Sequence, residues 1–189
     1  GLPASPRSAR SGAAWAPADA RREPHAAPPR TPGLVKARPA DDELVLGHLA
    51  REPDVATLAA APGGLRRLWD VCRIPDFGKV MSDAHARLLG AIYRHLMSGE
   101  ISGEGRIPTD WMAAQVSRLE RTDGDIETLA GRIASIRTWT YVSYRSDWLD
   151  DAGHWQECTR GIEDKLSDAL HLGLTQRFVD KRTSILLSR

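Results

Sequence analysis

The run Ile126-Glu127-Thr128-Leu129-Ala130-Gly131-Arg132-Ile133-Ala134-Ser135-Ile136-Arg137-Thr138-Trp139-Thr140 decides the fold class. Ile126, Leu129, Ile133, Ile136 and Thr140 recur at spacings of 3, 4, 3 and 4. That repeat gathers side chains on one face of an α-helix, whereas a strand would scatter them over both of its faces. The seam is about two heptads long, too short for a free coiled coil and suited to packing between neighbouring helices. Just before it, Thr122-Asp123-Gly124-Asp125 punctuates the chain, with acids placed to cap a helix and complement its dipole.

The same pattern extends in both directions. Downstream, Trp155, Cys158, Ile162, Leu166, Ala169, Leu170, Leu174 and Phe178 trace one stripe along a long terminal helix, with Gly173 placed to bend it. Upstream, Pro108-Thr109-Asp110 starts a helix carrying Trp111, Met112, Val116 and Leu119, preceded by a loop through Gly99, Gly103 and Gly105. Ser82 opens a helix lined by Leu88, Leu89, Ile92, Tyr93 and Leu96. Leu65, Leu68, Trp69 and Cys72 form an apolar stripe on a further helix, which Pro75 ends. Asp41 and Asp54 are positioned to cap two short helices, the second stopping before Pro62-Gly63-Gly64. The expected architecture is all-α: about seven helices in an antiparallel multi-helix bundle over residues 41–189, long enough to bury a core of its own.

Residues 1–40 read differently. Eight of the 12 prolines fall in the first 39 positions, mixed with Ala, Arg and Ser, so this stretch lacks the apolar surface to offset its chain entropy and is expected to be disordered. Those prolines also break the amphipathic helix that an organelle transit peptide needs. The chain opens on Gly1, which suggests a processed product or a piece of a longer reading frame. This tail holds seven Arg and Lys against two acids, a net +5, so the +1 of the whole chain leaves −4 on the rest. A mildly acidic body confines any nucleic-acid role to a local patch. Apolar runs such as Ile185-Leu186-Leu187 fall far short of the roughly 18 residues a membrane span needs, and Cys72 and Cys158 suit buried thiols in a reducing compartment.

Catalytic patterns are sparse. A phosphate-binding loop needs glycines ahead of a Lys and a Ser or Thr, but Gly78-Lys79 runs into Val80 without them. His154 and Cys158 share a helix face, yet two ligands do not close a zinc site, and no CxxC or HExxH accompanies them. The acids Asp123, Asp125 and Glu127 read as a helix start rather than a chelate. No Gly-x-Ser-x-Gly elbow is present. No catalytic residue, metal ligand or cofactor is therefore assigned within this chain.

Two clusters remain as candidates for binding. Trp139, Tyr141, Tyr144, Trp148 and Trp155, interleaved with Arg137 and Arg145, read as rings filling a junction between helices, with a stacking platform for single-stranded nucleic acid as the alternative. Arg177, Lys181 and Arg182 near the end of the terminal helix suit either phosphate contacts or simple complementation of the helix dipole.

The segments Arg121-Thr122-Asp123-Gly124-Asp125-Ile126-Glu127-Thr128-Leu129, Ile136-Arg137-Thr138-Trp139-Thr140-Tyr141-Val142 and Ile162-Glu163-Asp164-Lys165-Leu166-Ser167-Asp168-Ala169-Leu170-His171 are similar to part of a known family. With Leu68-Trp69-Asp70-Val71-Cys72-Arg73-Ile74-Pro75-Asp76-Phe77 and Gln176-Arg177-Phe178-Val179-Asp180-Lys181-Arg182-Thr183-Ser184, they resemble the helical region that follows the motor core in alphaproteobacterial helicases. Those helicases are related to the mitochondrial degradosome RNA helicase, a DExH-type superfamily-two enzyme. The resemblance spans about residues 28–189 and departs at Leu172-Gly173, where relatives carry a charged pair. It implies a cytoplasmic bacterial protein whose parent enzyme uses ATP and Mg on two RecA-like domains, none of whose motifs lie in this sequence. The implied partners are that helicase core and single-stranded RNA or DNA. A stand-alone protein–protein interaction module is the other reading the sequence leaves open.

Overall fold

In the computed structural model, residues 40–78, 83–99 and 105–187 are described. The Pro-rich tail expected over 1–40 therefore lies outside the described residues except for Ala40, as do Ser82 and most of the glycine loop. Seven helices and no strand occupy the described residues: α1 (Asp41–Leu49), α2 (Pro53–Ala60), α3 (Gly64–Cys72), α4 (Asp83–Met97), α5 (Thr109–Ser117), α6 (Ile126–Ser143) and α7 (Ala152–Leu187). The all-α expectation holds.

Helices α1 to α4 pack on one another, and α6 and α7 form a long hairpin. Its two arms run antiparallel. Near the loop, the Gln156 side-chain amide donates to the Ser143 carbonyl at 3.1 Å. Further along, Arg137 pairs with Glu163 at 2.7 Å, and at the far end Gly173 lies against Ile126. The helix α5 joins the two groups, because Trp111 stacks on His95 of α4 and meets Trp139 of α6 edge-on, with ring centroids 4.7 and 5.6 Å apart. One continuous core results, centred on Leu68, Leu89, Leu96, Met112, Ile136 and Leu166.

The connection from α2 to α3 shows why its glycines are there. Gly63 has φ +78°, a left-handed conformation that costs a glycine little. At Gly64 a Cβ would sit 2.1 Å from the Leu58 carbonyl oxygen, so α2 and α3 approach more closely than any side chain allows. The buried Tyr93 hydroxyl seals this turn by donating to the Gly64 carbonyl at 3.1 Å.

Several local expectations are corrected. Asp41 and Asp54 do not cap: the N-cap positions belong to Ala40 and Glu52, and both aspartates lie in the first turn. Asp41 there complements the helix dipole. Asp54 is drawn to Arg94 of α4 at 2.6 Å, and Glu52 binds the same guanidinium, so this pair of acids fastens the start of α2 to α4. The terminal helix α7 is continuous through Gly173 for 36 residues. Trp69 is 39% exposed, and the third inward residue of α3 is Val71, beside Leu68 and Cys72.

Candidate nucleic-acid interface

Because α6 holds 18 residues and α7 holds 36, the longer arm outruns the shorter. With Gly173 opposite Ile126, the first residue of α6, positions 174–187 extend past the hairpin by about 21 Å. The expected apolar stripe divides there. Trp155, Ile162 and Leu166 are buried and Ala169 and Leu170 half-buried, but Leu174 and Phe178 are exposed, as are Leu172 and Val179. The periodicity continues beyond the partner that gives it a use in this chain.

Arg177, Lys181 and Arg182 stand on this extension, all exposed. Arg177 and Lys181 are four apart and share a face. The Arg182 guanidinium lies 5.9 Å from the centroid of the Phe178 ring. Asp180, the carboxylate among them, accepts from the Gln176 side-chain amide at 2.8 Å. At the root of the extension, Arg177, Gln176 and Gly173 face Asp125 and Ile126 across an open groove.

The aromatic cluster is at the opposite end of the hairpin. Trp139, Trp148 and Trp155 are buried, Tyr141 is half-buried against the core, and Tyr144 departs from the core expectation at 51% exposed. Tyr144 follows the last turn of α6, where the chain leaves the bundle, and its ring lies under the Arg160 guanidinium at 5.4 Å. Arg145 covers the buried Trp148 ring at 4.7 Å, and Arg137 is held by Glu163. Trp155 and Arg177 are 22 positions apart on one helix, about 33 Å. The rings and the basic end are therefore separate regions.

The remaining sequence candidates have structural occupations. Asp125 caps α6, accepting from the Thr128 amide at 2.8 Å, and this hydrogen bond holds its carboxyl below the usual range. Asp123 is gripped by Arg121 at 2.7 Å, which lowers its pKa likewise. His154 sets its ring against Trp155, and burial raises the Cys158 thiol. Among the described residues, no group of three or more His, Cys, Asp and Glu stands together where it could hold a metal ion. No helix among them is long and apolar enough to cross a membrane.

The sequence reading overlooked one surface. Arg66 and Trp69 lie along the outer side of α3 and Arg73 is its C-cap residue, all three exposed. A signal for it was present, since positions three before and four after a tryptophan share its helix face. Comparison with protein-family models, curated proteins and solved structures finds no match for the chain.

Proposed function

We propose that this chain is a helical accessory domain of an ATP-dependent RNA or DNA helicase, packing on a RecA-like motor and helping to wall the nucleic-acid channel. In this reading it carries no ATPase centre of its own, and the ATP and Mg chemistry belongs to the motor. The observation that carries the proposal is the extension of α7. It joins exposed Leu174 and Phe178, a surface suited to docking, to Arg177, Lys181 and Arg182, cations suited to phosphate oxygens. The resemblance of residues 28–189 to the region after a helicase motor supplies the context.

Replacing Arg177, Lys181 and Arg182 together by Ala tests the cationic half. Binding of single-stranded RNA should weaken uniformly across sequences, and the log–log salt slope should fall by roughly 0.7 for each phosphate that is no longer neutralised. Arg182 lies about 100° round the helix from Lys181, so it should contribute less than the other two. Equal affinity and equal salt slope in wild type and triple variant would refute the nucleic-acid role. The exposed apolar residues of α7 would then favour the second reading, a protein–protein interaction module.

A further inference from the structure

We propose that Arg66, Trp69 and Arg73 form a second nucleic-acid contact, a platform on which the Trp69 indole stacks one base of a single strand while the two guanidiniums hold the flanking phosphates. The inference rests on the chain engaging nucleic acid, as proposed above, but places a contact on a different helix with different chemistry.

A tryptophan ring is large enough that partial exposure is ordinary, so what distinguishes Trp69 is its setting between two guanidiniums. Trp69 is 39% exposed, and among the described residues no ring or guanidinium stacks on it. Arg66 and Arg73 flank it at i−3 and i+4 and, among the described residues, meet no carboxylate in an ion pair. Their Cα atoms are about 10 Å apart along the axis, with the indole between them. Neighbouring charges on the same helix behave differently. Arg67 is paired with Asp147 at 2.7 Å, and Asp70 faces Arg145 at 3.8 Å. These two pairs clamp α3 to the turn after α6, while Leu68, Val71 and Cys72 anchor its inner side in the core. The rotation of α3 is thereby fixed, and Trp69 is held outward on a rigid element.

The chemistry of the three side chains selects the ligand. Guanidinium forks match phosphate oxygens bidentately, and an indole face accepts any base, so the occupant is single-stranded and the contact tolerant of sequence. A duplex would keep its bases stacked inside and offer the indole nothing.

The test uses the full chain and a short fluorescently labelled oligoadenylate, followed by fluorescence anisotropy over a salt series. Trp69→Ala should weaken binding roughly tenfold, and Trp69→Phe should restore most of it. With an abasic strand of the same length, Trp69→Ala and wild type should bind alike, a difference that a merely structural role for Trp69 would not produce. Arg66→Ala with Arg73→Ala should lower the salt slope by roughly 1.4, whereas the double Lys variant should leave the slope near that of wild type. If Trp69→Ala and the double Ala variant bind oligoadenylate with wild-type affinity and slope, the platform is refuted, and a protein partner becomes the occupant of this face. Loss of binding in the α7 triple variant alone would then leave the proposed function standing. Failure of wild type to bind would overturn both.

Discussion

Leu166 and Phe178 both belong to the apolar series of α7, twelve residues and about 120° apart round the helix, and they should respond differently to truncation. Leu166 has no exposed surface and sits in the core between α6 and α7, so Leu166→Ala removes a packed side chain and leaves a cavity. Such changes cost about 2–5 kcal/mol, and at roughly 3 °C per kcal/mol for a chain of this size the midpoint should fall by about 6–15 °C. Phe178 is 62% exposed, with α6 already ended beside it. Phe178→Ala should therefore stay within about 0.5 kcal/mol of wild type, the range of ordinary surface substitutions. Thermal melts followed by circular dichroism at the helix band measure both. A destabilisation above about 1 kcal/mol in Phe178→Ala would mean that the extension packs against something in the free chain and does not await a partner.

Four further outcomes follow from the same geometry. Gly161 and Gly173 are interior to α7, and a Cβ would meet nothing within 4 Å at the first and an ordinary contact at 3.7 Å with Ile126 at the second. Alanine at each should raise stability by about 0.5–1 kcal/mol, measurable by urea unfolding. Amides of 174–187 should exchange with deuterium far faster than those of 155–170, because only the latter segment has a packed partner. Acid should destabilise the fold: Arg94 lowers the Asp54 pKa and Arg121 that of Asp123, so both contributions are complete above the usual carboxylate range and fade as pH falls through the lowered values. Burial also lowers the His95 pKa, so the unfolded chain gains that proton first, and melts should already decline below about pH 6.5. Finally, ATP with Mg should leave the melting midpoint unchanged, whereas a ligand held at 100 times its dissociation constant would add about 2.7 kcal/mol.

How much of this was legible in the sequence depends on what a residue's neighbours in space had to supply. The seam from Ile126 to Thr140 could be read from spacing alone, because a 3–4 repeat has one compact solution and α6 adopts it. The stripe of α7 is as regular, but regularity does not encode the length of the partner: α6 begins opposite Gly173, which leaves Leu174 and Phe178 outside the core that their spacing suggests. Trp69 misled in another way. It adjoins Leu68, and an apolar residue at the edge of a stripe can turn either inward or outward. The rotation of α3 is set by burial of Leu68, Val71 and Cys72, and ion pairs from Arg67 and Asp70 to residues some 75 to 80 positions away, which no local spacing displays, hold the same orientation. Asp54 left its capping role for the same reason, having a stronger partner in Arg94.

The net −4 of residues 41–189 looked unfavourable to nucleic acid, but net charge describes a distant observer. At physiological salt, charges are screened beyond about 8 Å, so a bound strand responds to the groups it touches. Many of the carboxylates behind the negative total already face a cation: Glu52 and Asp54 face Arg94, Asp147 faces Arg67, Asp150 faces Arg106, Glu163 faces Arg137 and Glu120 faces Lys165. A matched pair contributes little field at the next helix. Several arginines among the described residues face no carboxylate in an ion pair, and of these Arg66 and Arg73 at α3 and Arg177 on α7 each share their surface with an exposed ring or aliphatic side chain. Two local cationic faces on an acidic body should give binding that is weak in total yet strongly salt-dependent, with each face accounting for its own share of the slope. A single binding surface would instead lose its whole slope to one set of substitutions, so the Arg66 and Arg73 pair and the α7 triple, measured separately and together, distinguish the two arrangements by whether their effects add.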